Sequence, residues 1–466
     1  MKLTFLGANH SVTGSRYCLE VGGTRVMIDC GMVQEREHAG RNWEPSPIKA
    51  SSIKSLLLTH IHIDHSGLIP KFVREGFDGH IFATQPTVDL ASIVLRDSAH
   101  IQQEDAAYKK KRHQREGHQG KYPEEPLYTM ADVERALPLF QGVDYDQTIP
   151  VADGIDVTFR DAGHILGSAM LELLVKEGDK QRRIIFSGDI GQCGKPLIRD
   201  PSFFEQADYV IMESTYGDRL HDKSGDVETQ LCDVINATLE RGGNVVIPTF
   251  AIERAQELMF HIGRLVYAKR IPAVPIFLDS PMAVDVTEIF RQHCQHLDSE
   301  TQALILSDEP PLRYAGLQMV HDVEQSKAIN HLKKPCIIMS PAGMCTAGRI
   351  KHHLRNNIGR HECTILFVGF QSRGTPGRQI LEGNQDVRIH GELRRVKAHV
   401  AHINGLSGHA DQAGLLDRLT HLKSPPRQVF LAHGEEPAAE CLSGLIRERW
   451  GWPVSIPEYE SEVELD

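Results

Sequence analysis

The sequence runs to 466 residues, 41% hydrophobic and 24% charged, with a formal net charge of −11, long enough for two ordinary domains or one large one with a real core. A mean hydropathy of −0.29 and the lack of any run of about eighteen uncharged apolar residues argue against a membrane span. The negative balance excludes a wholly basic surface that binds nucleic acid indiscriminately, but leaves room for a local basic groove.

The opening MKLTFLGANHSV reads as a strand, not as a basic segment followed by an apolar stretch, so no export signal is expected. The nine cysteines are odd in number, scattered and without CxxC spacing. They read as reduced thiols in a cytoplasmic protein. In chain order, KLTFLGA, RYCLEVGG, TRVMIDCG and SLLLTH are apolar runs bounded by turn residues, which predicts four strands. LIPKFVREG then reads as a helix, GHIFATQPT as a strand, and residues from about 86 to 140 as mainly helical. The run Lys109 to Arg115, KKKRHQR, falls there and reads as a solvated helix face. IDVTFRDAGHI, AMLELLVKEG, RRIIFSGDIG and ADYVIMEST predict four more strands, a second sheet packed on the first.

From about residue 220 helix and strand alternate, from VETQLCDVINATLERGG through NVVIPTF and PIFLDS to CIIMSPAG and TILFVGFQ. Continuous apolar strands between helices predict a doubly wound parallel sheet. Short strand-like pieces resume near 385, followed by a helix, the strand RQVFLAH and a final helix. The histidines of this tail resemble those of the first half. The expected organisation is an α/β sandwich from residues 1–215 and 391–466, interrupted by an insertion over 216–390.

The densest chemistry lies in SLLLTHIHIDHSG, where His60, His62, Asp64 and His65 follow a strand end. In extended chain His60 and His62 point the same way, and Asp64 and His65 follow as the chain turns into a helix. One loop can then serve two adjacent metal ions. Nitrogen and oxygen donors without thiolate favour zinc, with manganese or iron as alternatives.

HIHIDH resembles the second motif of the metallo-β-lactamase superfamily. Asp29 in VMIDCG, His164 in GHILGS and Asp189 in FSGDIG resemble its first, third and fourth motifs. The resemblance implies an αββα sandwich. It also implies that His60, His62 and His164 bind one zinc ion and Asp64 and His65 a second, that Asp189 bridges both, and that Asp29 supports the ligand loop through hydrogen bonds. ESTYG with Glu213, LSGHAD with His409 and LAHGE with His433 are similar to motifs A, B and C of the β-CASP subfamily, which includes the cleavage and polyadenylation endonuclease. The likeness spans nearly the whole chain and is to a compact bacterial ribonuclease of that subfamily. It implies that His433 completes the second metal. Two divalent ions, two carboxylates and one hydroxide would give the site a net charge of about +1, suited to a phosphodiester.

The activity so implied is hydrolysis of single-stranded RNA by a metal-activated hydroxide, endonucleolytic or also 5′ to 3′ exonucleolytic. Catalysis falls to Asp64, Asp189, Glu213 and His409, with His409 as general acid and Glu213 orienting it. The alternative is a hydrolase of a small thioester, lactone or other ester, although such relatives lack the insertion and motifs A to C. No membrane partner is expected, and a homodimer is left open. SPAGMCTAGR with Arg349 and GFQSRGTPGR with Arg373 and Arg378 fall at strand ends. They read equally as a cradle for a nucleic-acid backbone or as plain turns with surface arginines. His399 and His402 read as structural.

Overall fold

The computed structural model describes residues 1–35, 37–117, 122–221, 226–369, 371–372 and 374–466. They group into two compact units, one of residues 1–193, 200–220 and 409–466, the other of residues 194–199 and 221–408.

The first unit is built on two seven-stranded sheets. In one, Lys2–Gly7, Arg16–Val21, Thr24–Ile28, Ile53–Leu57, His80–Thr84 and Phe140–Val143 lie side by side, with Glu462–Glu464 on the outer edge of the first. In the other the order runs Val454–Ser455, Gln428–Ala432, Tyr209–Glu213, Lys180–Phe186, Ala169–Glu177, Ile155–Asp161 and Thr148–Ala152. Alternation decides which faces meet: Tyr17, Leu19 and Val21 from one strand join Phe5, Phe159, Phe186 and Phe430 in a single buried cluster. Each such side chain contributes on the order of 1.5–3 kcal/mol by leaving water. The helices Gln412–Thr420 and Glu436–Trp450 close the outer face of the second sheet, burying Leu415, Leu419, Leu442 and Ile446 against Ile185, Val210 and Leu431. The long helix Gln85–Glu116 lies against the strands His80–Thr84 and Phe140–Val143 of the first. The result is the expected αββα layering.

The second unit holds a six-stranded sheet in the order Leu317–Val320, Ile276–Asp279, Ile337–Ser340, Val245–Pro248, Thr364–Phe367 and His399–His402, every neighbour parallel. Its strands are short, and the central ones Val245–Pro248, Ile337–Ser340 and Thr364–Phe367 are buried throughout, as the unbroken apolar runs predicted. Side-chain caps start several helices here: Asp226 accepts from the Thr229 N–H and Ser280 from that of Ala283. His399–His402 pairs with Thr364–Phe367, so the chain stays in this sheet beyond the expected boundary at residue 390 and returns to the first unit at His409. Among the described residues no helix is long and apolar enough to cross a membrane.

Lys109, Lys110 and Lys111 are exposed near the end of the long helix, as expected of a solvated face, whereas His113 is buried against Glu124.

Candidate metal centre

Strand ends of the first unit deliver the predicted residues. Asp29 follows Thr24–Ile28, Thr59 and His60 follow Ile53–Leu57, Asp189 follows Lys180–Phe186, Glu213 ends Tyr209–Glu213, and His433 follows Gln428–Ala432. The first two of these strands are parallel neighbours, and so are the last three, so their carboxyl ends emerge together. His62 precedes the one-turn helix Ile63–Ser66, which carries Asp64 and His65. The main chain is bound into this arrangement: the Ser15 N–H donates to the Asp64 carbonyl at 2.9 Å and the Cys30 N–H to that of His65 at 2.7 Å. Gly31 leaves the room, since a Cβ there would lie 1.7 Å from the Asp64 carbonyl oxygen.

Two donor groups share Asp189. In the first, His60 Nε2 and His62 Nδ1 are 3.2 Å apart, His164 Nε2 and His62 Nδ1 3.3 Å, and Asp189 Oδ2 lies 3.4 Å from His60 and 3.6 Å from His164. Four ligands about 2.1 Å from a central ion occupy the corners of a tetrahedron with edges of about 3.4 Å. The donors already stand at that spacing. In the second, Asp189 Oδ1 lies 3.1 Å from His65 Nε2 and 3.5 Å from His433 Nε2, and the latter 3.9 Å from Asp64 Oδ2. His65 Nε2 and Asp189 Oδ1 are both buried and face each other without a well-aligned hydrogen bond, which leaves lone pairs that a bound cation can take up. The residues fit a metal at each group.

Protonation suits that role. Burial pushes the His62 imidazole down to about 4 and, with His409 beside it, His164 to about 3; His60 is also held well below the ordinary range by burial and by His65. All three are neutral at pH 7 and present a lone pair. Burial opposes ionisation of Asp189, but His433, His65 and His60 outweigh it and hold the carboxyl well below the usual range. Burial likewise opposes charge on His65, and Asp189 and Asp29 overcome it, raising the imidazole well above its ordinary value. A proton held there marks a place where the protein favours positive charge.

Asp29 acts behind the donors: Oδ2 lies 2.7 Å from His65 Nδ1, and Oδ1 accepts from the Thr59 N–H at 2.8 Å. Fixing Nδ1 leaves Nε2 to face Asp189. Glu213, fully buried, accepts from the Ile190 N–H at 2.5 Å and lies 3.2 Å from His409 Nδ1. It caps no helix. Burial disfavours the charged His409 ring, but Glu213 and Asp189 raise its pKa to about 9. The helix after His409 begins at Gln412, capped by Asp411, so His409 belongs to the site.

All nine predicted site residues converge. Sequence reasoning missed Ser15, whose Oγ is 2.8 Å from His433 Nδ1, and Thr59, whose hydroxyl meets Asp29. The only signal for Ser15 was its place in a strand-edge glycine loop; for Thr59, its position just before His60. Arg349 is no backbone cradle: its Nη1 donates to buried Asp279 at 2.8 Å. Arg378 pairs with Glu382, and Arg373 lies outside the described residues. His399 and His402 sit in the edge strand of the second unit, not among the donors.

Fold and donors together define a metallo-hydrolase of the metallo-β-lactamase type. Residues 18–205 match the family described as metallo-beta-lactamase superfamily domain, residues 255–380 the Beta-Casp domain, and residues 394–457 the Zn-dependent metallo-hydrolase RNA specificity domain. The chain is 37% identical over its full length, and that of its relative, to Ribonuclease TTHA0252 of Thermus thermophilus. It is 30% identical to transcription termination factor FttA of Methanococcus maripaludis over 95% of this chain and 68% of that one. A solved structure of a protein of unknown function from Enterococcus faecalis shares the fold, with a TM-score of 0.55, 12% identity, and coverage of 100% of this chain and 99% of that one. The protein belongs to the β-CASP subfamily of the metallo-β-lactamase superfamily.

Proposed function

We propose that this protein hydrolyses phosphodiester bonds of single-stranded RNA with two zinc ions, one held by His60, His62, His164 and Asp189 and the other by Asp64, His65, His433 and Asp189. The single observation that carries the reading is the shared carboxylate of Asp189 between two donor groups, with His409 beside it on Glu213. Bound metal ions supply Lewis-acid polarisation of phosphoryl oxygens and an acidified water. The protein's own groups do the rest. His60, His62 and His164 stay neutral and keep their donors aimed inward. Asp29 locks the ring of His65. Glu213 takes Nδ1 of His409, so a proton passes to the leaving oxygen from Nε2. His409 is partly exposed, as a group meeting substrate must be. Relatives named as a ribonuclease and as a transcription termination factor support RNA over a small ester.

The test incubates metal-analysed protein with end-labelled single-stranded RNA, matched DNA and a thioester panel, beside an Asp64→Ala/His65→Ala control, and counts bound ions by mass spectrometry. The expected result is RNA cleavage by the intact protein alone, with about two ions bound against fewer in the control. Thioester hydrolysis without RNA cleavage would overturn the proposal.

A further inference from the structure

Between Arg349 and His402 the sequence carries ten Lys and Arg against four Asp and Glu, a net of +6 in a chain of net −11. Two elements of the second unit, the helix Ile350–Asn357 and the hairpin Asp386–Ile389 with Glu392–Arg395, hold five of these ten cations, and Lys397, just before the edge strand His399–His402, is a sixth. In the hairpin Arg388 is paired with Leu393 and Asp386 with Arg395. Partners in an antiparallel pair share a face, so one side of the ribbon presents Arg388, Leu393 and Arg395. Val387 and Ile389 are buried on the other side. Leu393 is 64% exposed.

The neighbouring helix adds to the same field. Arg355 stands 3.8 Å from Glu392, and the His352 and His390 rings lie 4.4 Å apart. The acids cannot balance the cations: Glu392 is divided between Arg355 and Arg394, and Asp386 pairs with Arg395 at 3.1 Å. Among the described residues no carboxylate pairs with Lys351, Arg388 or Lys397; Arg388 donates only to the Gly391 carbonyl. Lys397 leads into the edge strand, which has Thr364–Phe367 on one side and, among the described residues, no strand on the other. The run at Lys109 to Arg115 is denser in sequence but poorer in net charge, since residues 104–125 hold six Lys and Arg against five Asp and Glu.

We propose that the hairpin and its flanking edge form a docking surface for the sugar-phosphate backbone of single-stranded RNA, with Arg388, Arg395 and Lys397 meeting phosphates and Leu393 lying against a base. A concentrated positive strip on an acidic chain selects a polyanion of regular, closely spaced charge. The inference rests on the RNA reading above but concerns other residues, in the other unit.

The test compares Arg388→Glu/Arg395→Glu/Lys397→Glu with a control of equal charge change, Lys109→Glu/Lys110→Glu/Lys111→Glu. Affinity of metal-loaded protein for a phosphorothioate RNA of about 20 nucleotides is measured by anisotropy over a salt series. Turnover of bis(p-nitrophenyl) phosphate is measured beside it. The hairpin variant is expected to bind at least about tenfold more weakly, with the slope of log K against log salt reduced by about 2, since each lost single-strand phosphate contact removes about 0.7. Diester turnover stays at the parent level, and the control variant binds as the parent does. A Gln triple at the same positions repeats the measurement should the Glu triple melt early. Unchanged affinity, equal loss in both triples, or competition by polyglutamate as strong as by RNA would overturn the proposal. A parent that hydrolyses the small diester yet neither binds nor cuts RNA would instead sink the RNA reading itself.

Discussion

Replacing Ser15 by Ala removes one oxygen and tests how the second metal group is held. His433 turns Nε2 towards Asp64 and Asp189, so its Nδ1–H donates to Ser15 Oγ at 2.8 Å. Ser15 is wholly buried, away from bulk water. Leaving a buried donor unsatisfied costs about 1–3 kcal/mol. Losing the partner of a metal-binding histidine weakens metal affinity about 10–100-fold, which is about 1.4–2.7 kcal/mol. The two routes agree. The backbone bonds of Ser15, to the Asp64 carbonyl and from the Gly31 N–H, survive the substitution. Only the orientation of His433 is released. Chelator competition followed by metal analysis should show one ion retained at parental affinity and the other weakened by that factor. Parental affinity at both groups, in protein that melts as the parent does, would refute the argument that Ser15 positions His433.

Gly31→Ala is expected to displace the ligand loop, because its Cβ would fall 1.7 Å from the Asp64 carbonyl oxygen and 2.8 Å from the Ser15 nitrogen; a destabilisation of about 1–3 kcal/mol should appear as a lower Tm with loss of the second ion. His409→Ala should lower RNA turnover by about 10²–10⁴-fold with metal content intact, whereas Glu213→Gln should lower it less; equal turnover in parent and His409→Ala ends the acid assignment. At Asp279 burial opposes ionisation, but hydrogen bonds from His353, Ser326 and Arg349 prevail and depress its pKa. A depressed carboxyl stabilises the fold above its unfolded value of about 3.9 and loses that contribution as pH falls through the folded value. The advantage of the parent over Asp279→Asn in urea midpoint should therefore shrink as pH is lowered from 6 through 4 towards 3. A constant gap would show that ionisation of Asp279 contributes nothing.

The site was legible because its chemistry is local in sequence: His60, His62, Asp64 and His65 sit within six residues, and the remaining donors follow apolar runs that read as strands. The sheets were legible from their apolar runs as well. Which sheet a strand joins was not. HVAH at 399–402 has the texture of a short strand and histidines like those of the site, yet its partner is Thr364–Phe367, a choice set by pairing across space. Arg349 misleads for a similar reason. Its charge looks available in sequence, but the carboxylate that consumes it, Asp279, lies 70 residues earlier. Ser15 is invisible because a buried serine in a glycine loop carries no periodic or motif signal; only the approach of His433, 418 residues later, gives it a task.

The split origin of the donors orders events during synthesis. His60, His62, His164 and Asp189 have all been made when less than half the chain exists, whereas the other group waits for His433. A growing polypeptide therefore brings out the first donor group before the second unit and completes the second group only after it. His409, set beside Glu213, likewise follows the second unit in the chain.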